Sequence, residues 1–536
     1  MGFRITYATM SADNEELQEA YDAAVDRVKV QLGASHPLLV NDEERSTDEW
    51  YEERSPIDRT IVVGRYAQAT DRDVDDMVEA AAAFEGEWAA VPWQERRDLM
   101  LAAADVMEGR LFDLSALMAY EVGKSRLEAL GDVAETIEFF RYYSNQMTAH
   151  DGFDTPLSSL SADEHNLSVL RPYGTWAVIS PFNFPLALAA GPSIGALLTG
   201  NTVVLKPSNQ GALMAIEFHR VMKEAGLPAA ALQVLTGGDE TGDRLAHHPS
   251  VQGLTFTGSH EVGMYLYRTV REDRPKPVVA EMGGKNPAIV TATADLDTAA
   301  EGVARGAFGF SGQKCSATSR VYVERDAYDA FVTKLVDRAK TFEVGNPLDR
   351  ETFTGPVIDE EAIARFEEAL ADVSAVGGRV LAGGKRLSGN ALEKGNFVAL
   401  TVVEAPEDSW VWNRELFVPF VVVGPVDSFE EALTKANDSP FGLTAGLFTG
   451  DESQIEQFFE KIEAGTTYVN RRAGATTGAW PDVQSFGGWK GSGTSGAGGG
   501  GPWYLRSYLR EQSRTRVVEV LARRRSEEQE SAVLRR

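Results

Sequence analysis

Cys315 is the one cysteine among 536 residues, and it stands in the run Phe310-Ser311-Gly312-Gln313-Lys314-Cys315-Ser316-Ala317. A single thiol in so long a chain serves no disulfide framework. It is either a small buried hydrophobe or a nucleophile. The thiolate is the attacking species, and a cysteine of ordinary pKa, about 8.5, is only a few per cent ionised at neutral pH. A nucleophilic Cys315 therefore needs its anion stabilised locally, and the backbone N–H groups around 314–317 are the candidates. Metal-assisted hydrolysis is disfavoured: the chain has seven histidines, and the close pair His247-His248 has no ligand cluster around it.

The elements that must position this residue read as alternating strands and helices. Residues 1–60 are polar, with a helical piece over 14–32. TIVVGRYAQAT (60–70) predicts a strand and turn, and apolar residues at three- and four-residue spacing predict helices over 71–143, with Pro92 in a first turn. From Leu167 the texture changes. Short apolar runs at 167–174, 175–185, 201–208, 230–237 and 251–259 are separated by helical stretches at 186–199, 210–225 and 240–247. That alternation predicts βαβ units, a parallel sheet and a doubly wound nucleotide-binding architecture. A second α/β block follows from 277 to 470. The glycine run 498–501, taken alone, suggests a flexible linker, and SRTRVVEV (513–520) an edge strand able to pair with another subunit.

Five segments occur in order: Ser180-Pro-Phe-Asn-Phe-Pro185, Lys206-Pro-Ser208, Phe256-Thr-Gly-Ser259 with Glu281-Met-Gly-Gly-Lys-Asn-Pro287, Gly312-Gln-Lys-Cys-Ser316, and Glu415-Leu-Phe417. Each is weak alone. Together, across more than 230 residues, they resemble the signatures of the aldehyde dehydrogenase superfamily, over about residues 60–520. The resemblance implies an α/β fold with a Rossmann-like NAD-binding domain, an α/β catalytic domain and a small β oligomerisation arm. It divides the chain into an N-terminal arm (1–60), a cofactor domain (61–157 and 171–280), a catalytic domain (281–485), and oligomerisation strands with a tail (158–170 and 500–536).

It also implies roles. Cys315 is the nucleophile and Asn183 an oxyanion donor. Glu281 is the general base for hydrolysing the thioester, able to swing because two glycines follow it closely. Lys206, Ser208, Gly238, Phe256, Gly258, Ser259, Val262, Glu415 and Phe417 match cofactor contacts, with phosphate at the helix start after Ser259. NAD is favoured. NADP stays open because Asn209 stands where many NAD-preferring relatives carry an acid, and Val418 replaces a usual glycine. Within the superfamily the likeness is to the branch that oxidises L-glutamate γ-semialdehyde. There Glu135, Phe184, Ser316, Gly478, Ala479 and Phe486 would hold the amino-acid substrate, with the Thr477-Gly478-Ala479 loop anchoring its carboxylate. Arg320 and Arg471 are the basic residues that a rival acidic substrate, such as succinate semialdehyde, would need. A non-catalytic protein retaining the fold is argued against by intact Cys315, Asn183 and Glu281.

The totals bound the partners. Net charge is −28, with 80 acidic against 52 basic residues, the latter mostly arginine, and the acid runs along the whole chain. Such a polyanion repels nucleic acid and anionic membranes. Spread acid with little lysine predicts a protein adapted to molar salt, where the Debye length falls to about 3 Å. No apolar run is long enough to span a bilayer, no secretory leader is read at the start, and one thiol fits a reducing cytoplasm. The chain is too short for an additional proline dehydrogenase domain. A homo-oligomer, dimer or higher, is expected.

Overall fold

The computed structural model describes residues 14–45, 47–272, 274–472 and 480–518. A five-stranded parallel sheet runs in the spatial order Leu232–Val234, Thr202–Pro207, Thr175–Ser180, Gly253–Thr257, Val278–Glu281. Numbered along the chain this is 3-2-1-4-5, the doubly wound order, and it reverses between Thr175–Ser180 and Gly253–Thr257. Its central strands are buried on both faces, and so read as near-continuous apolar runs without alternation.

A seven-stranded sheet forms the second block, ordered Arg379–Ala382, Thr401–Glu404, Phe420–Val426, Thr318–Glu324, Asn286–Val290, Thr444–Phe448, Thr466–Val469. All its pairings are parallel except the first. A third, antiparallel sheet joins Leu509–Val517, Glu164–Pro172 and Asp154–Leu157, and nearly every residue of Leu509–Val517 is exposed.

Helix Asp71–Ala90 packs on the five-stranded sheet, and Trp93–Gly109, Leu111–Val122 and Arg126–Ala149 pack on one another and on helices Ala187–Leu198 and Ala212–Glu224. The first starts two residues before the acidic run at 73–76, because Thr70 and Asp73 close a capping box. Pro92 is the N-cap residue of the next helix and not part of its first turn. The polar N-terminal stretch contributes to the core. Helix Glu15–Val28 buries Leu17, Tyr21, Ala24 and Val28, and a sheet of Ala34–His36, Val62–Ala67 and Trp50–Arg54 follows. Between 341 and 430 lie helix Glu360–Ala375, which buries Ala362, Ile363, Phe366, Ala369 and Val373, and three strands of the large sheet.

The glycine run is not a linker. Gly499 pairs with Phe486, Gly500 donates its N–H to the Tyr143 hydroxyl at 3.0 Å, and the Gly501 N–H bonds to Gly498. The glycines allow backbone to lie on backbone: a side chain on Gly498 would meet the main chain of Phe486. Among the described residues no helix is long and apolar enough to cross a membrane.

Candidate active site

Strands Thr175–Ser180, Thr202–Pro207, Gly253–Thr257 and Val278–Glu281 end on the same edge of the sheet, and every turn leaving that edge carries expected site residues. In such sheets ligands bind outside the carboxyl ends, at the point where strand order reverses. The turn after Ser180 holds Phe182, Asn183 and Phe184 ahead of helix Ala187–Leu198. Asn183 is 2% exposed, and its side-chain amide makes no hydrogen bond to the described chain. A buried donor left open in this way is suited to an oxyanion.

Cys315 follows helix Leu296–Phe308 and a tight turn, Gly309–Gly312, in which Phe310 and Ser311 have positive φ of 48° and 52°. That strained backbone is held from several sides. Ser311 bonds to Thr354 and the Gly355 carbonyl. The Gln313 carboxamide accepts from the Ile358 N–H and donates to the Phe310 and Pro356 carbonyls. The Asn286 amide donates to the carbonyls of Cys315 (2.7 Å) and Ala317 (2.9 Å) and accepts from the Thr444 N–H. Gly312, at φ 68°, lies where any side chain would strike the Val418 carbonyl, so the Cys315 loop is pressed on the Glu415–Val418 segment.

Burial pushes the Cys315 thiol up to about 12. The Glu415 and Glu281 carboxylates push the same way, while the N–H groups of Ser316 and Cys315 pull it down. The two carboxyls are themselves raised by burial, Glu415 to about 7 and Glu281 well above the carboxylate range. Burial thus favours the neutral forms of both Cys315 and Glu281. Glu281 ends its strand, and its Oε2 accepts the Gly488 N–H at 3.0 Å. Gly283 and Gly284 adopt no left-handed backbone. They are small because the Glu415 carboxyl and the Asn286 and Cys315 atoms pack where a Cβ would stand, and Glu415 Oε1 accepts the Gly284 N–H at 2.8 Å. Lys285 is buried with its ammonium unpartnered and pushed down to about 7, chiefly by burial.

On the cofactor side, Lys206 is 5% exposed, donates to the Pro207 carbonyl at 3.0 Å and is pushed down to about 8 by burial. Gly242 leaves room for its stem. Ser208 lies in the following turn. Asn209 Oδ1 is buried there without a partner. Gly238 is the N-cap of helix Asp239–His247, and Phe256 and Gly258 pack on each other at the end of Gly253–Thr257. Ser259 caps helix His260–Thr269 by accepting the Val262 N–H, and Val262 is 45% exposed beside it. Phe417, at φ 58°, lies edge-on to Phe182 at 6.0 Å. An orphaned acceptor, a lysine ammonium, a helix N-terminus and a carboxylate along one sheet edge suit a dinucleotide, which offers hydroxyls and phosphates.

A buried polar cluster beneath Phe184 carries no motif in the sequence. Lys124 and Asp132, both fully buried, pair at 2.6 Å, and Asp132 Oδ1 also accepts the Ala187 N–H at 2.8 Å. The Lys124 ammonium lies 3.6 Å over the Phe184 ring. Lys314, next to Cys315 in the chain, donates to both Glu128 carboxylate oxygens, at 2.6 and 2.8 Å. Glu135 faces this group and is pushed up to about 8, by burial first and then by Asp132, with Lys124 and Lys314 opposing. Spacing within Arg126–Ala149 would have brought Glu128, Asp132 and Glu135 onto one helix face. No local pattern names Lys124 or Lys314 as their partners.

The Ser316 hydroxyl is without a partner among the described residues, and Phe486 is half-buried opposite Gly499. Gly478 and Ala479 lie outside the described residues. Arg320 is 1% exposed and spends its donors on Tyr322 and the carbonyls of Lys285, Lys435 and Ala436, so it offers nothing to a substrate carboxylate. Arg471 donates to Gln484. Among the described residues no group of His, Cys, Asp and Glu could hold a metal ion.

Residues 43–513 match the model of the aldehyde dehydrogenase family. The chain is 36% identical over 507 residues to the 1-pyrroline-5-carboxylate dehydrogenase of Geobacillus sp. (strain WCH70), covering 93% of this chain and 96% of that protein. It is 37% identical over 504 residues to the enzyme of that name from Bacillus subtilis (strain 168), covering 92% and 95%. Among solved structures, a Thermus 1-pyrroline-5-carboxylate dehydrogenase with bound NAD superposes with a TM-score of 0.90 at 34% identity, over 96% of this chain and 98% of that one.

Proposed function

The chain belongs to the aldehyde dehydrogenase family, and on that premise we propose that it oxidises L-glutamate γ-semialdehyde, the open form of 1-pyrroline-5-carboxylate, to L-glutamate with NAD. The observation that carries the reading is the placement of Cys315. Its loop is clamped at the carboxyl edge of the dinucleotide sheet, with Glu281 and Glu415 acting on its thiol.

An aldehyde does not readily release hydride while its carbon is sp². Cys315 adds first, its thiol proton passing through water to the ionised Glu281 and on to solvent, and the resulting oxyanion accepts hydrogen bonds from Asn183 and the Cys315 N–H. A donor of this kind contributes about 10²–10³ in rate. NAD, when bound, takes the hydride that the tetrahedral adduct expels. Lys206, Ser208 and Asn209 would hold its adenosine ribose, the helix start at Ser259 its phosphates, and Glu415 its second ribose. The thioester left on Cys315 is cleaved by water whose proton passes to Glu281. That base must first be ionised and turned from the Gly488 N–H. Phe184 and Phe486 bracket the short aliphatic chain. Ser316 and the N–H groups of Gly478 and Ala479 take the substrate carboxylate, and Glu135 faces its ammonium end.

The same reading includes a homo-oligomer, a reducing cytoplasm and tolerance of molar salt. A second copy is supported by Leu509–Val517, an exposed strand with one unpaired edge, and by Thr466–Val469, which ends the large sheet. Salt adaptation is supported by the net charge of −28, and the single thiol fits the compartment.

NADH formation in molar KCl, compared for glutamate semialdehyde, succinate semialdehyde and propanal, tests the substrate assignment. A kcat/KM preference of at least tenfold for glutamate semialdehyde is expected, abolished in Cys315→Ala while NAD binding persists. Comparable rates on all three would discard the substrate and keep the chemistry.

A further inference from the structure

Parallel register puts Trp176, Thr255 and Glu281 on one face of the five-stranded sheet. Trp176 lies opposite Gly253, Thr255 opposite Val178 and Val279, and Thr257 opposite Glu281. Side chains two apart on a strand share a face. The turn Tyr504–Tyr508 packs against that face. The Tyr508 ring stands 4.8 Å from Trp176 and lies against Gly195, where a side chain would collide with it.

The hydroxyls form a chain. The Trp176 indole N–H bonds Thr255 Oγ1 at 2.8 Å, Thr255 Oγ1 lies 3.3 Å from the Tyr508 hydroxyl, and Tyr508 donates to the Tyr504 hydroxyl at 2.9 Å. Its direction follows from the indole at one end and the Tyr508-to-Tyr504 bond at the other. An indole only donates, so Thr255 accepts from it. Tyr508 has one hydrogen and gives it to Tyr504, so Thr255 donates to Tyr508. The sequence of donors ends on the Tyr504 hydrogen, which has no acceptor among the described residues. Tyr504 is 4% exposed, and a buried hydrogen without an acceptor is unfavourable.

On the same face, Glu281 uses Oε2 on the Gly488 N–H, while Oε1 makes no hydrogen bond to the described chain. Residues 486–488 connect the Glu281 contact to the Phe486–Gly499 pair, and Gly499 lies against the Tyr504 ring. Burial, then the Tyr508 and Tyr143 hydroxyls, hold the Tyr504 phenol well above its usual range, and the Glu281 carboxylate adds to this.

We propose that Tyr504 is a positioning residue for Glu281, the terminal donor of a buried chain from Trp176 through Thr255 and Tyr508 that hydrogen-bonds the free oxygen of the ionised carboxylate. The proposal rests on the reading of Glu281 as the base of an aldehyde oxidation. A hydrogen bond to the charged form favours it, opposing the burial that pushes Glu281 up. Each donor upstream polarises the next.

The test is the pH dependence of thioester hydrolysis, measured as the slow phase after the NADH burst, in Glu281→Gln, Tyr504→Phe and Tyr508→Phe. Glu281→Gln is expected to give the burst and then arrest. Tyr504→Phe is expected to move the acid limb upward by about one to two pH units, the effect of losing one hydrogen bond to a charged group, with the Kd for NAD unchanged. Tyr508→Phe should move it the same way by less. An arrested Glu281→Gln with an unmoved limb in Tyr504→Phe overturns the proposal alone. Continued turnover in Glu281→Gln overturns the base assignment and the proposal with it. If Tyr504→Phe does not fold by circular dichroism, Tyr508→Phe decides, and an unmoved limb there overturns the proposal.

Discussion

Replacing Asp132 by alanine isolates a buried ammonium directly under the Phe184 ring. Lys124 and Asp132 are both fully buried and 2.6 Å apart, and Lys124 is already pushed below its ordinary 10.5 by burial, with the Asp132 carboxylate opposing. Without Asp132, the ammonium stays charged and unpaired, or loses its proton. Breaking a buried pair costs about 3–5 kcal/mol. Deprotonating an ordinary lysine at pH 7 costs about 5 kcal/mol, at about 1.36 kcal/mol per pH unit, which sets a ceiling on that loss. The orphaned Ala187 N–H adds about 1–3 kcal/mol.

The pH signature identifies the cause. In the variant the lysine's folded pKa lies below its unfolded value, so the unfolded chain binds more protons and stability rises with pH. Between pH 7 and 9 the gap to the wild type should close by about 2–3 kcal/mol. Denaturant unfolding followed by tryptophan fluorescence in molar KCl reads this, with Lys124→Met/Asp132→Leu expected to recover much of the loss. A destabilisation identical at both pH values, or none, would refute the argument that charge burial holds this cluster together.

Two further outcomes follow from the site. Glu135 is pushed up to about 8 by burial and then by Asp132, so it is largely protonated at pH 7 and ionised at pH 9. KM for the semialdehyde should change across that window in the wild type and stay flat in Glu135→Gln, and equal profiles would remove Glu135 from substrate contact. Asn209 Oδ1 is a buried, unpartnered acceptor beside Lys206. Asn209→Asp should lower kcat/KM with NADP relative to NAD by about tenfold through repulsion of the 2′-phosphate, and an unchanged ratio would place Asn209 away from the ribose.

Much of the cofactor domain is legible in the residues themselves. Alternation of apolar runs with helical stretches predicts the parallel sheet from Thr175 onward, because strands buried on both faces must be apolar throughout, but the run at 167–174 joins the antiparallel sheet instead. The region 341–430 is only partly legible: helix Glu360–Ala375 carries an apolar face of Ala362, Ile363, Phe366, Ala369 and Val373, whereas the strands Arg379–Ala382 and Thr401–Glu404 are short and separated by irregular chain. The glycines at 498–501 mislead for a related reason. A glycine run looks the same in sequence whether it is free or pressed against another backbone, as Gly498 is against Phe486.

The sequence by itself determined the chemical groups and their local settings: a lone thiol between lysine and serine, a carboxylate ahead of two glycines, and strands ending at the turns that carry them. These are short-range properties, written in neighbouring residues. The tertiary structure alone decided which groups act on one another. Lys314 meets Glu128 from 186 positions away, Asn286 holds the Cys315 carbonyl across 29, and the donor sequence from Trp176 reaches Tyr504 through strand register and a distant turn. The sign and size of a charge's effect depend on distance and on the exclusion of water, and both exist only once the chain has packed.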